Sequence, residues 1–196
     1  MSPKQQRGEA TAERVLDAAL RLYADGGEAG LTVAALTREG AVSPGSVYHH
    51  FGSLHGVLTA LALRSTGRLL DALTTALRDT DGARAGVEAV VLAYLDFVRE
   101  HPDAARLVHS AGADREVMAR APQLRASQEA RLAPVAGWIH AHRATGELAD
   151  LPAPLIEALV LGPVVAAARR ALSVGDVDLD ACARTLPDRI WRSVAG

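Results

Sequence analysis

Cysteine is nearly absent: Cys182 stands alone in 196 residues. A lone thiol can close neither an intrachain disulfide nor a multi-cysteine metal site, so the chain reads as intracellular and the cytoplasm is its expected location. Aromatic residues are scarce at 4%. Aromatic and β-branched side chains are the ones that suit pleated sheet, and their thinness beside abundant Ala and Leu argues for helices. No long apolar run occurs. The longest uncharged one, Ala158 to Ala168, has 11 residues against the roughly 20 that a membrane helix needs, so no membrane span is expected. The opening residues MSPKQQRGEATAER are polar and hold no apolar segment of secretory-signal type. Lysine occurs once, at Lys4, and 21 basic groups stand against 23 acidic ones for a net charge of −2. Neither a basic nucleic-acid coat nor a disordered charged tail has that balance.

What is present is helical periodicity, nearly throughout a chain that is 49% hydrophobic. No period-two alternation of useful length, repeat or low-complexity linker interrupts it, and the predicted fold is all-α. Val15, Ala18, Ala19, Leu22 and Tyr23 form one apolar stripe on a first helix over 11–25, which Gly26-Gly27 should stop. Thr32 can cap a short helix that bears Val33 and Leu36 and ends at Gly40. Ser43-Pro44 restarts the chain at once: Ser43 is a good N-cap, Pro44 fits the first turn where its missing N–H has no partner to lose, and Val47 and Phe51 lie four apart on one face. Ser53 then caps a long helix through about Arg78. Further helices are predicted at 84–100, 103–110, 116–143, 153–172 and 179–193, with breaks at His101-Pro102, Gly112, Thr145-Gly146 with Leu151-Pro152, and Gly175, and with Pro122 and Pro134 able to kink the long one. This divides the chain into a small N-terminal domain, 1–56, and a larger helical one, 57–196.

Two short helices joined by a tight turn and braced by a longer first helix have the form of a helix-turn-helix DNA reader. The second must protrude into a major groove about 12 Å wide while the first supports it. In that setting Thr32 to Leu58, TVAALTREGAVSPGSVYHHFGSLHGVL, resembles the DNA-binding domain of the TetR/AcrR family of bacterial regulators. Ala18-Ala19-Leu20, Leu22-Tyr23 and Gly27 resemble its first helix, and HPDAARLV and LVLGPVVAAARRAL farther on are similar to family segments. The resemblance implies a three-helix DNA-binding domain with a recognition helix from Pro44 to His50. Thr32 would cap the preceding helix and touch a phosphate; Ser43, Gly45 and Ser46 would sit at the recognition helix's start; Tyr48, His49 and His50 would face DNA with Ser53 at the next helix; Phe51 would pack inside. Three positions depart from the family pattern. Gly40-Ala41-Val42 replaces the common Ala-Gly-Val, which leaves either an early helix stop or a left-handed Ala41 costing about 1–2 kcal/mol. Thr37 stands where a small Ala is usual, and Leu54 where a phosphate-contacting Lys or Arg is usual.

Charge at this end is thin. Residues 1–56 hold Lys4, Arg7, Arg14, Arg21 and Arg38, five cations against six carboxylates for a balance of −1, whereas DNA affinity leans on cations that displace condensed counterions. His49, His50 and His55 can add charge in acid, and backbone N–H groups at helix starts also bind phosphate.

Catalytic and metal chemistry find little footing. His140 and His142, at i and i+2, point about 200° apart on a helix and cannot share an ion. Asp96 and Glu100, at i and i+4, have Arg99 alongside and read as a solvated face. There is no nucleophile elbow or phosphate loop; no cofactor and no metal are expected, and the chain is predicted not to be an enzyme. Within 84–143, Tyr94, Phe97, Met118 and Trp138 with His101 and His109 are candidates for a largely apolar effector pocket, although each alone also fits plain core. Low net charge there points to an uncharged or weakly charged hydrophobic molecule of drug-like size. Helices 153–172 and 179–193 resemble the family's dimer-forming pair, which puts Leu155, Leu159, Gly162, Val165, Ala166, Arg169, Leu186 and Ile190 at a subunit interface. The resemblance thus implies a homodimeric, ligand-responsive regulator, by default a repressor, released from double-stranded operator DNA by a small molecule. The rival is a small-molecule-binding protein or enzyme that keeps the helix-turn-helix only as scaffold, and the thin basic footprint is what favours it.

Overall fold

The computed structural model describes residues 3–78, 80–110, 126 and 128–196, and the chain divides into two compact units, Met1–Ser65 and Thr66–Gly196. The first holds α1 (Pro3–Gly30), α2 (Val33–Glu39), α3 (Pro44–Phe51) and the opening turns of α4 (Leu54–Arg78). The second holds the rest of α4, then α5 (Ala83–Glu100), α6 (Pro102–Val108), α7 (Glu129–Ala144), α8 (Ala153–Ser173) and α9 (Leu179–Val194). The fold is all-α. Among the described residues the one sheet-like pairing is an isolated bridge between Leu148 and Ala195. The predicted helix over 116–143 is described from Glu129 onward; its earlier part, the Gly112 break and Pro122 lie outside the described residues.

The first unit is built on the stripe read from the sequence. Val15, Ala18 and Ala19 of α1 are fully buried, and Leu31, Leu36, Val47, Val57 and Leu61 join them out of solvent. Val57 and Leu61 are on α4, so the unit extends past the helix-turn-helix and its edge falls inside that helix, at 65/66 rather than 56/57. α1 also outruns its predicted span. It starts at Pro3, and at Gly27 the backbone takes φ 60°, ψ −154°, so the expected stop is a kink after which one more turn forms. Gly30 then lies against the Leu22 carbonyl, where a Cβ would stand 2.9 Å from the oxygen.

The turn after α2 settles the alternatives left by Gly40-Ala41. The Gly40 N–H donates to the Leu36 carbonyl at 2.8 Å and that of Val42 to Thr37 at 3.2 Å, closing the helix in the Schellman pattern. Gly40 keeps helical backbone (φ −85°) and Ala41 takes the left-handed one (φ 49°), alone among the described non-glycine residues. The reason lies in packing: a Cβ on Gly40 would meet the Leu36 oxygen at 3.0 Å and the Ala18 Cβ at 3.4 Å. Glycine is therefore used for the approach of α2 to α1, and the strained turn falls to alanine.

In the second unit α5 is the central element, packed against α6, α8 and α9, with Val87, Val91, Leu95 and Val98 buried within it. Its N-cap is Gly82, which has no side chain to offer. Glu147, from the α7–α8 connection, supplies the cap instead: its Oε2 accepts from the Ala83 N–H at 2.8 Å, and its Oε1 bonds His142 Nδ1 at 3.0 Å. The Ala83 N–H and then His142 hold the Glu147 carboxyl below its ordinary range, as an anion at the positive end of a helix should be. α7, α8 and α9 continue through Pro134, Pro163 and Pro187.

Ala41→Gly should stabilise the first unit. Removing left-handed strain contributes about 1–2 kcal/mol, and the extra freedom of glycine in the unfolded chain takes back about 0.4–1 kcal/mol. Thermal melts of the full chain should show a rise for Ala41→Gly and a fall for Gly40→Ala; an unchanged melt for the first would mean that Ala41 bears no strain.

Candidate functional site

α1 packs on both α2 and α3, and these two touch each other. Each of the three helix starts that follow carries a capping hydroxyl. Thr32 Oγ1 accepts from the Ala35 N–H at 3.1 Å, Ser43 Oγ from Ser46 at 3.1 Å, and Ser53 Oγ from Gly56 at 3.0 Å. A hydroxyl that accepts from the backbone still has a proton to donate, so a cap can also hold a phosphate oxygen. Ser43 and Ser46 share one further bond, 2.9 Å between their oxygens.

α3 is two-faced. Val47 is fully buried, while Tyr48 is 53% exposed and Pro44, Gly45 and His49 are exposed with it. Thr32, Ser43 and Ser53 are exposed too; Ser46, His50 and Phe51 are half-buried. The His50 ring lies between His49 and Phe51, with centroids 5.1 and 6.2 Å away, and its Cε1 comes within ordinary contact of the place a Cβ would take at Gly8 on α1. Of the nine residues expected at DNA, seven are open to solvent, and Ser46 and His50 are partly covered. Thr37, unusual at its position, disposes of its hydroxyl by donating to the Ala34 carbonyl at 3.0 Å.

The cations of this unit are largely engaged. Arg21 pairs with Glu39 at 2.7 Å, and Arg64 of α4, its side chain only 11% exposed, is held by both Glu13 and Asp17 of α1 at 2.8 Å. That clamp escaped the sequence, because its partners lie 47 and 51 residues away and no local pattern marks the pairing. Arg38 in the last turn of α2 has no carboxylate partner among the described residues.

The effector candidates among the described residues meet in pairs, with Trp138 apart from them. Tyr94 is buried on α5 with its hydroxyl 3.2 Å from His109 Nε2; the Phe97 ring meets that of His101, which is exposed, edge-on at 5.3 Å; Trp138 on α7 packs beside His142, with ring centroids 4.7 Å apart. Met118 lies outside the described residues. Of the rest only Trp138 lines the apolar cavity of about 70 Å³ in this unit, whose walls otherwise come from Leu73, Val87, Val90, Ile156 and Val160 among others. Asp96 pairs with Arg99, which also reaches Asp180 at 2.7 Å, in keeping with a solvated face. On α8, Leu155, Gly162, Ala166 and Arg169 are exposed and Leu159 and Val165 half-buried, and Leu186 of α9 is half-buried. Ile190 must be withdrawn from the interface set: it is 2% exposed and belongs to the protomer's own core, on which Leu186, one helical turn before it, also packs in part.

Residues 15–61 match the family model of the bacterial regulatory proteins, tetR family. The chain is 30% identical over 92 residues to the uncharacterized HTH-type transcriptional regulator YobS of Bacillus subtilis, covering 47% of this chain and 48% of that protein. It is 32% identical over 77 residues to the HTH-type transcriptional regulator BetI of Rhizobium meliloti, 39% of this chain and 38% of the relative. The matched stretch spans about half the length of these curated relatives, or less. Along its whole length the chain shares the fold of a TetR family transcription regulator from Marinobacter aquaeolei VT8, with a TM-score of 0.75 at 21% identity, over 97% of this chain and 98% of the other. It shares it also with the fatty acid degradation regulator FadR of Bacillus halodurans, with a TM-score of 0.72 at 14% identity, over 91% and 97%.

Burial pushes the Tyr94 phenol up to about 12, against a smaller downward pull from the Arg169 charge. The folded protein thus keeps the phenol neutral while the unfolded chain ionises near pH 10. The stabilisation is whole below about pH 10 and is lost between about 10 and 12, to the extent of about 2–3 kcal/mol. Urea midpoints measured across that window should fall steeply for the native chain, and Tyr94→Phe should flatten this part of the profile; equal slopes in the two would contradict the assignment.

Proposed function

With the N-terminal module of the tetR family of bacterial regulatory proteins and the fold of that family along its length as premise, we propose that this protein is a ligand-responsive, DNA-binding transcriptional regulator, acting as a repressor in the cytoplasm. The observation that carries the reading is α3: an eight-residue helix capped by Ser43, opened by Pro44, anchored by the buried Val47, and presenting Tyr48 and His49 outward. A protruding helix of this kind is what enters a major groove. Tyr48 can bond a phosphate through its hydroxyl while its ring covers the groove edge, and the hydroxyls and N–H groups at the starts of α2, α3 and α4 supply phosphate contacts where cations are few.

The second unit would bind the effector and a second copy. The exposed run of α8, where a Cβ on Gly162 would meet nothing within 4 Å, leaves room for another helix to approach closely. Pairing through α8 and α9 would set two recognition helices about 34 Å apart, one turn of DNA. An effector that favours another spacing then draws the population off DNA, with a coupling of about 1–3 kcal/mol. No described helix is long and apolar enough to cross a membrane, and nothing in the proposed role calls for catalysis.

Fluorescence anisotropy on the DNA flanking the gene tests the reading. Saturable binding should appear, with a shallow salt dependence because few cations are available to release counterions. Tyr48→Ala and His49→Ala should each weaken it about tenfold, as loss of one good contact does, while the melting temperature stays nearly unchanged because both side chains are exposed. A Tyr48→Ala protein that melts early but whose folded fraction binds normally would remove Tyr48 from the interface. Complete lack of DNA binding beside tight small-molecule binding would favour the scaffold alternative.

A further inference from the structure

α1 carries arginine at positions 7, 14 and 21. Seven residues make two helical turns less about 20°, so the three side chains leave the helix along one edge, successive ones about 10 Å apart. We propose that Arg7 and Arg14 form a strip on that edge that grips the sugar-phosphate backbone of duplex DNA, and that Glu39 withholds Arg21 from the same strip. This rests on the regulatory reading above. It adds to the interface a part that lies ahead of residues 15–61, the stretch that matches the family model.

Placement is the first support. Gly8, next to Arg7, faces α3 near its end: a Cβ at 8 would stand 3.7 Å from His50 Cε1. The Arg14 carbonyl oxygen is 3.5 Å from the place of a Cβ on Gly40, at the turn that leads into α3. These turns of α1 thus border the helix-turn-helix at both ends of α3.

Charge is sorted around the helix. Arg7 and Arg14 are exposed, and Thr11 lies between them: Arg14 Nη2 donates to its hydroxyl at 3.4 Å, and the hydroxyl donates to the Arg7 carbonyl at 2.9 Å. The carboxylates of the same turns go elsewhere. Glu13 and Asp17 are turned to Arg64, and Glu9, two residues beyond Arg7, points about 200° round the helix from it. A row of cations is answered by a row of anions, which a nucleic-acid strand carries and a small metabolite does not.

Arg21 is the exception on this edge. Its Nε donates to Glu39, the last residue of α2, at 2.7 Å with both side chains open to solvent, and Asp25 ends the row one turn further on. An exposed pair of this kind adds little to stability. Removing the Glu39 charge should therefore leave the fold intact and add Arg21 to the strip.

Fluorescence anisotropy of the full chain on a random-sequence duplex tests this without knowledge of the operator, because backbone contacts carry no sequence information. For each copy bound, Arg7→Gln and Arg14→Gln should each weaken binding about fifteenfold at roughly 50 mM salt and about fourfold at roughly 200 mM, as loss of one phosphate contact does. The slope of log affinity against log salt should fall by about 1. Glu39→Gln should act in reverse, with tighter binding and a steeper slope, an outcome that damage to the fold does not produce. Arg84→Gln, which removes the same charge from the second unit, should leave both quantities as they are. Arginine variants that keep the native affinity and slope, or an Arg84→Gln chain weakened as much as they are, overturn the strip; Glu39→Gln without effect overturns the withholding of Arg21. Should Tyr48→Ala weaken binding while the arginine variants do not, the strip fails and the regulatory reading stands. A native chain that binds no duplex even at low salt overturns both.

Discussion

Short helices do not hold themselves together in water. Nucleation is costly, and isolated helices of fewer than about 12 residues are marginal; α2 has 7 residues and α3 has 8. Everything that the first unit could do for DNA depends on making these two rigid. The means are few and local: a capping hydroxyl at each start, one fully buried side chain in each helix, Leu36 and Val47, and a close approach of α2 to α1 that admits no Cβ at Gly40. Because so little apolar area fixes α3 from inside, its outer face is left free for contacts that carry no folding role.

The same division explains what could be read in advance. Thr32, Ser43 and Ser53 were legible as caps because a cap is a local bond, made within three residues of its own position. The Gly40-Ala41 turn was half legible: its chemistry allowed two conformations, and only the nearness of Ala18 decides between them. The ties that span the chain were not legible at all. Arg64 to Glu13 and Asp17, Glu147 to Ala83, and Gly86 to Trp138 join segments 47 to 64 residues apart for those with hydrogen bonds, and nothing periodic announces them. Aromatic content likewise identified Tyr94, Phe97 and Trp138 as inward-facing without saying which of them share a space. Ile190 shows the limit from the other side: the resemblance puts it at an interface with Leu186, yet the two lie on one face of α9 and both pack on the protomer's own core, Ile190 wholly and Leu186 in part.

In the second unit one helix is surrounded on most sides, and the cost of an imperfect fit is correspondingly local. A void of about 70 Å³ among Leu, Val and Ile side chains costs on the order of 1–2 kcal/mol in a core that cannot collapse onto it. That is a sizeable share of the stability of a domain this large. Glu147 works in the opposite direction, replacing with a distant carboxylate the cap that Gly82 lacks.

The Arg64 clamp bears on how this protein could be rebuilt. A guanidinium so nearly buried, with its Nε and Nη2 already lacking partners among the described residues, tolerates its position only because two α1 carboxylates answer its charge. Chimeras that graft the first unit onto a foreign C-terminal domain are naturally cut where the helix-turn-helix ends, near residue 56. Such a cut leaves Glu13 and Asp17 in the head and discards their cation. The transferable cassette therefore runs through Ser65, and the domain that receives it inherits the first three turns of α4 along with the helix-turn-helix.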